Sequence, residues 1–151
     1  MPNPPITNFV SESAPYATTC DRCGKTFDAR VTEALVGDDH RWDLDAHCPH
    51  CDLAWCECAI EPATAGMRNA ILAANGFTVL KVEKGSVTTA SVMRAVRIAC
   101  FLSLSEARSV ADELVTSGRA GSLVEVEVLA RLLRASGAVV STWRRGEQGS
   151  E

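Results

Sequence analysis

The chain reads Cys-Asp-Arg-Cys-Gly at residues 20–24 and Cys-Pro-His-Cys at residues 48–51. In each stretch two cysteines are separated by two residues, a spacing that turns both sulfur atoms toward one point. Two such turns supply four thiolates, which is the tetrahedral donor set of structural zinc sites. The sequence therefore predicts one structural zinc ion, because protein atoms would fill all four positions around the metal. The predicted ligands are Cys20, Cys23, Cys48 and Cys51.

Alternating apolar and polar residues surround both turns and predict a small antiparallel sheet. The alternation covers residues 26–31, 41–47 and 53–58, with a Gly-Asp-Asp turn between the first two of these stretches. We therefore predict a zinc ribbon at residues 16–60, preceded by a flexible N-terminal segment at residues 1–15. The core of such a ribbon is too small to fold alone, so zinc binding is expected to supply its folding free energy.

Three of the seven cysteines lie outside the predicted ligand set. Cys56 and Cys58 are two residues apart and would share one face of a strand, and we predict that they are reduced thiols. Half of a second metal site is the alternative for this pair, although no other cysteine pair is free to complete it. His47 and His50 flank Cys48 and are predicted to lie beside the metal or at the surface. A redox dithiol or simple buried thiols are the alternatives to zinc for the four ligands.

Composition separates the chain into an acidic half and a basic half. Residues 1–62 carry eleven acidic and four basic side chains, a net charge of −7, whereas residues 63–151 have a net charge of +3. An acidic ribbon argues against direct nucleic-acid binding, which requires clustered Lys and Arg. The length of 151 residues and the hydrophobic content of 46% fit two small domains.

Location and reaction class follow from what the sequence lacks. It shows neither a signal peptide nor an apolar stretch of membrane-spanning length, which predicts a cytoplasmic protein with no membrane partner. It also shows no Ser/His/Asp order, no paired carboxylates and no Gly-rich phosphate loop. We therefore predict that the protein is not an enzyme.

The second half of the sequence predicts a β-α-α-(β)-α-β domain at residues 77–145. A connector at residues 61–76 that can form a short helix precedes this domain, and a flexible tail at residues 146–151 follows it. The stretch at residues 123–128 alternates like a strand, but a preceding cap and a continuing 3.6-residue period favour a helix. The predicted fold class is therefore α+β. Two capping boxes mark helix starts, Ser103 with Glu106 and Ser122 with Glu125.

Three stretches of this domain carry a resemblance to a known family. They read Val-Met-Arg-Ala-Val-Arg at residues 92–97, Leu-Ser-Leu-Ser-Glu-Ala-Arg at residues 102–108 and Arg-Ala-Ser-Gly-Ala-Val-Val at residues 134–140. In this order they resemble the C-terminal domain of the bacterial ribosomal stalk protein (L-seven/L-twelve). That family reads Val-Ile-Lys-Ala-Val-Arg and Gly-Leu-Gly-Leu-Lys-Glu-Ala-Lys in the first two stretches. The resemblance covers residues 77–145.

The sequence also departs from the family. Phe101 stands where the family's Gly-Leu-Gly-Leu turn begins, and this change stiffens the turn. The stretch at residues 116–121 is shorter than in the family, so the middle strand is expected to be missing or reduced. The family's N-terminal dimerisation helices and hinge have no counterpart, and the predicted zinc ribbon stands in their place.

The resemblance implies a partner and a contact face. In the stalk family the first two helices of this domain contact translation factors that hydrolyse GTP. The matching positions here are Arg94, Arg97, Leu104 and Arg108. We therefore expect a non-enzymatic binding protein that engages a factor GTPase or the ribosome. The alternatives are a solvated helix face at these arginines, a transcription-associated or nucleic-acid zinc-ribbon module, and a Clp-adaptor-like protein.

Overall fold

The computed structural model describes residues 9–145. The chain divides into two compact units, with the division between Gly76 and Phe77. Within the described residues, seven strands form two antiparallel sheets and four helices pack beside them, which confirms the predicted mixture of helix and strand. None of these helices is long and apolar enough to cross a membrane.

The first unit is a four-stranded sheet with one helix. The strands follow the chain in the order β1-β2-β3-β4, and each pairs antiparallel with the next. Helix α1 begins after Thr64, whose side chain accepts a hydrogen bond from the backbone N–H of Met67. The elements are β1 (Phe9–Thr19), β2 (Thr26–Val36), β3 (Asp39–His47), β4 (Ala54–Glu57) and α1 (Ala65–Asn75).

Alternation along the strands gives this sheet one buried face. Val31 on β2 lies opposite Ala14 on β1 and Leu44 on β3, and all three side chains are buried. The helix α1 contributes Met67 and Ile71 to the same core. The predicted connector at residues 61–76 therefore contains a helix that belongs to the first unit.

The strand β1 corrects the prediction of a flexible segment at residues 1–15. Residues 9–15 pair with β2 in unbroken register, and Glu12 lies opposite Glu33. The polar run Ser11–Ser13 conceals this strand in the sequence, because a buried Glu12 does not follow the usual apolar alternation. Pro15 is tolerated because β1 is an edge strand. Residues 1–8 of this predicted segment and the predicted tail at residues 146–151 lie outside the described residues.

The second unit contains three strands and three helices. Its sheet has the order β6-β5-β7, and both neighbours pair antiparallel with the central β5. The middle strand is present but reduced to three residues, and the stretch at residues 123–128 is helical. The elements are β5 (Thr78–Val82), α2 (Thr89–Cys100), α3 (Leu104–Val115), β6 (Arg119–Gly121), α4 (Leu123–Ala135) and β7 (Val140–Arg144).

In this unit the helix starts predicted from the sequence and the packing of the core agree with each other. Both predicted capping boxes form, at the starts of α3 and α4. The core is aliphatic, and its fully buried side chains come from β5 and from all three helices. They include Leu80, Val96, Ala107, Leu114, Ala130 and Leu133.

Candidate metal centre

Two turns of matching geometry position the four predicted metal ligands. The first turn joins β1 to β2, and the second joins β3 to β4. In each turn the backbone N–H of the first cysteine donates to the carbonyl five residues later, and its carbonyl accepts from the N–H four residues later. The four bonds are Cys20 N to Lys25 O at 2.9 Å, Gly24 N to Cys20 O at 2.8 Å, Cys48 N to Leu53 O at 2.8 Å and Asp52 N to Cys48 O at 2.9 Å.

The residue after each cysteine pair adopts the left-handed backbone conformation. Gly24 has φ +73°, and Asp52 at the equivalent position has φ +62°. Glycine adopts this conformation without strain, whereas an aspartate does so at some cost in free energy. The sequence indicates the first of these turns through Gly24 but gives no comparable signal at Asp52.

The four sulfur atoms lie close enough together to bind one metal ion. The Sγ atoms of Cys20 and Cys51 are 3.5 Å apart, those of Cys23 and Cys48 are 3.6 Å apart, and all four lie within 4.8 Å of one another. A tetrahedron with Zn–S bonds of about 2.3 Å has edges of about 3.8 Å, whereas a disulfide bond is about 2.05 Å long. The four thiols therefore form a group that could hold one metal ion.

Burial and backbone dipoles affect the thiols of this group unequally. Cys20 and Cys48 are buried, whereas Cys51 is half-buried. The backbone N–H of Cys23 points at the Cys20 thiol and lowers its pKa to about 7. The N–H of Leu53 acts in the same direction on Cys51, but desolvation and the neighbouring thiols outweigh it and raise the pKa of Cys51 to about 11. Once one sulfur is ionised, the next ionisation is therefore opposed until a cation enters.

We expect metal affinity to fall as the pH falls from 8 to 6. The raised pKa of Cys51 means that metal binding must displace its proton throughout this range, so the affinity decreases by about tenfold or more per pH unit. Below the Cys20 pKa of about 7 the proton of this thiol must also leave, and the slope should steepen there. Competition with a chromophoric chelator, corrected for the chelator's own protonation, measures this slope. An affinity independent of pH would contradict the displacement of thiol protons.

The remaining candidates near the turns stay outside the sulfur group. His47 lies 3.4 Å from Asp52 Oδ1, and both side chains are mostly exposed. His50 is also exposed. Cys56 and Cys58 are exposed free thiols. Within residues 9–145, the four cysteines are the one group of three or more Cys, His, Asp or Glu side chains with metal-binding geometry.

A buried carboxylate was not singled out by the sequence. Glu33 on β2 is fully buried, and its Oε2 atom lies 2.8 Å from His40 Nε2. The register places it directly opposite Glu12, which is 7% exposed. The sequence signal for this site was a charged residue at a position where the alternation of β2 predicts a side chain that faces the core. The bond to His40 offsets part of the cost of burying the Glu33 carboxylate.

The second unit has an open groove where α2 meets α3. Its volume is about 660 Å³, and three of its large apolar side chains are exposed: Ile98 by 57%, Phe101 by 92% and Leu104 by 61%. The predicted residues Arg94 and Arg97 also line this groove. Predicted residue Arg108 lies on α3 and is exposed, but it does not line the groove.

Phe101 has an unusual backbone conformation. It ends α2 with φ +53° and ψ +43°, the left-handed region that aromatic residues seldom adopt. Burial of the ring does not compensate for this backbone strain, since Phe101 is the most exposed large apolar side chain among the described residues. Strain of this kind is retained most often at functional sites.

Two of the predicted arginines are not used within the second unit. Arg97 donates from Nε to the carbonyl of Leu102 at 3.3 Å, so it helps to hold the connection between α2 and α3. Within residues 77–145, Arg94 and Arg108 are the two arginines that make no hydrogen bond, ion pair or ring contact. Their charges are therefore available to a partner.

Comparison of the chain with models of protein families, with curated proteins and with solved structures finds no match.

Proposed function

We propose that this chain is a non-enzymatic protein-binding module in which a structural zinc ion stabilises the first unit and the second unit binds the translation machinery. The partner in this proposal is a factor GTPase or the ribosome. The observation that carries it is the exposed, strained Phe101 in the groove between α2 and α3. The architecture proposed is a zinc ribbon with four cysteine ligands, followed by a domain resembling the ribosomal stalk C-terminal domain.

Zinc is proposed because of the donor set. Four thiolates bound to one ion would leave no position open for water, which suits a structural metal ion. Cys20, Cys23, Cys48 and Cys51 would each contribute one bond. The bound ion would link the turn after β1 to the turn after β3, which lie at the same end of the antiparallel sheet.

The translation partner is proposed because of the resemblance together with the groove. The order β5-α2-α3-β6-α4-β7 agrees with the β-α-α-(β)-α-β order expected from the stalk family. The helices that bind factors in that family correspond to α2 and α3. The groove here is lined by α2, by the connection that follows it and by Leu104 at the start of α3. Phe101 adds an aromatic side chain where the family has glycine, and aromatic residues are enriched among the side chains that dominate binding energy.

The chemistry of the groove defines the partner segment. In the groove Ile98, Phe101 and Leu104 offer apolar surface and Arg94 offers positive charge. Arg108 adds a positive charge on α3 outside the groove, and neither arginine has a partner among the described residues. The complementary segment is an apolar helix or loop flanked by acidic side chains.

Calorimetric titration of the full chain with a purified elongation factor GTPase tests this proposal. We expect micromolar binding that weakens with salt, and a loss of about tenfold or more in affinity in the double variant Arg94→Glu with Arg108→Glu. The control with the same change in net charge is Lys84→Glu with Arg134→Glu, which lies away from the groove. Equal losses of affinity in the two double variants would mean that binding depends on the net charge of the chain and not on the groove. No binding by the unmodified chain would overturn the translation partner.

We expect Phe101→Gly to separate binding from stability. Glycine removes the left-handed strain, so the free energy of unfolding of the second unit should rise by about 0.5–1 kcal/mol. The same change removes the exposed ring and should weaken binding to the factor by tenfold or more. Chemical denaturation and calorimetry on one sample measure both quantities. A variant that is more stable and binds equally well would show that Phe101 is not a contact residue.

A further inference from the structure

One face of the three-stranded sheet in the second unit is turned away from the helices. Leu80 and Val82 of β5 belong to the core that the helices complete. Because successive residues of a strand point to opposite faces, Val79 and Lys81 lie on the other face. The register aligns three further residues with them: Ala120 and Trp143 beside Val79, and Ser141 beside Lys81. These five residues form the outer sheet face.

A cavity of about 380 Å³ opens on the outer sheet face. Its lining includes Ala120, Val79 and Trp143, which form one row across the three strands. Val79 packs against the main chain at Gly118, where an added Cβ atom would lie 2.8 Å from Val79 Cγ1. Trp143 is half-buried, so part of its ring is open to solvent. The cavity therefore offers an apolar surface with an accessible aromatic ring.

Basic side chains lie on both sides of this row. Arg145 lines the cavity at one side, and its guanidinium carbon is 5.5 Å from the centre of the Phe77 ring. Lys81 lies at the other side, about 6.6–6.8 Å along β5 from Val79. Lys81 also lines a second cavity together with Lys84. Within residues 77–145, neither lysine side chain makes a hydrogen bond or an ion pair.

Acidic side chains only partly offset this positive charge. Glu113 lines the first cavity, but its Oε2 atom lies 3.4 Å from Arg119 Nη1. Glu83 lines the second cavity. Residues 77–145 carry ten basic and six acidic side chains, a net charge of +4. The acidity that argues against nucleic acid belongs to residues 1–62 and not to this unit.

We propose that the outer sheet face binds single-stranded nucleic acid. Trp143 stacks on an unpaired base, while Arg145 and Lys81 contact the phosphates on either side of that base. A sheet whose aromatic side chains lie among basic ones suits unpaired bases, since every base has a face that can stack. The outer sheet face shares no residue with the groove of α2. The proposal therefore does not depend on the translation partner.

Fluorescence anisotropy with the full chain, loaded with zinc, tests the proposal. The probes are labelled oligo(U) and oligo(dT) of about ten nucleotides, and a labelled duplex of the same length. We expect both single strands to bind, and the stronger of the two identifies the preferred sugar. The duplex should bind at least about tenfold more weakly, because its bases are already stacked on one another. With two phosphate contacts, the logarithm of the single-strand affinity should fall with the logarithm of salt concentration at a slope of about −1.4.

Variants separate stacking from charge. Trp143→Leu keeps an apolar side chain but removes the aromatic ring, so we expect an affinity loss of about fivefold or more with an unchanged salt slope. Lys81→Gln with Arg145→Gln should remove most of the salt dependence. The control with the same change in net charge is Arg94→Gln with Arg108→Gln, on α2 and α3, and it should leave the salt slope unchanged. Circular dichroism confirms that each variant has folded.

Four results would overturn the proposal. The unmodified chain could bind neither single strand, or it could bind the duplex equally well. The Arg94 and Arg108 control could weaken binding as much as the change at Lys81 and Arg145, which would make the attraction a general charge effect. Finally, folded Trp143→Leu protein with full affinity would show that no base stacks at this position.

Discussion

Removal of the metal at neutral pH is expected to unfold residues 9–76 while residues 77–145 keep their structure. Binding of structural zinc by four thiolates contributes about 10–16 kcal/mol, whereas a core of this size contributes roughly 3–5 kcal/mol. Without the ion, four thiols that are partly buried converge with no cation to bind them. The second unit has its own core and, within its described residues, no metal group, so the chelator should leave it folded.

Two-dimensional amide NMR before and after chelation measures this outcome unit by unit. Cys48→Ser should reproduce the effect of the chelator, because Cys48 is fully buried and provides one quarter of the donor set. The matched control is Cys100→Ser on α2, which removes a thiol outside the metal group and should preserve both sets of signals. Folded signals from residues 9–76 in metal-free protein would contradict a metal-dependent fold.

Gly118→Ala is expected to destabilise the second unit by about 2–5 kcal/mol. Gly118 has φ +85°, where a Cβ atom costs about 1–2 kcal/mol. The added Cβ would also lie 2.8 Å from Val79 Cγ1 and 3.0 Å from the carbonyl oxygen of Leu80. The latter is backbone of the central strand and cannot move aside without disturbing the sheet, so overpacking adds about 1–3 kcal/mol.

Gly137→Ala separates these two contributions. Gly137 has φ +94°, but a Cβ atom there would meet nothing within 4 Å. Its substitution should therefore cost only the backbone strain of about 1–2 kcal/mol. Denaturant unfolding of both variants gives the difference. Equal losses of stability would mean that the close approach of Gly118 to Val79 is relieved by a small shift.

The sequence predicted those features for which one local signal was sufficient. Cysteine spacing indicated the four-sulfur group, and two capping boxes located the starts of α3 and α4. The stretch at residues 123–128 shows why the cap was needed. Its alternation favours a strand, but Ser122 and Glu125 close the first helical turn, and the apolar residues that follow continue on one face of α4.

Features that depend on distant partners were missed. The strand β1 contains a buried Glu12, and its place in the sheet becomes clear only from its register with β2. Glu33 needs His40, seven residues away on the next strand, before its burial can be understood. Phe101 was recognised as a departure from the stalk family, but its left-handed backbone and exposed ring are properties of the folded turn.

The division at Gly76 has a consequence for the order of folding during synthesis. The second pair of metal ligands follows the first by 25 or more residues. The four-cysteine group of the first unit therefore cannot form until β3 and the turn after it have left the ribosome and an ion has bound. Residues 77–145 of the second unit contain no group of metal-binding side chains, and its two capped helices depend on contacts close in sequence. In metal-poor cells, we expect the part that is synthesised first to reach its native structure last. The exposed Phe101 surface would then be ready to bind while the N-terminal half is still open to proteases.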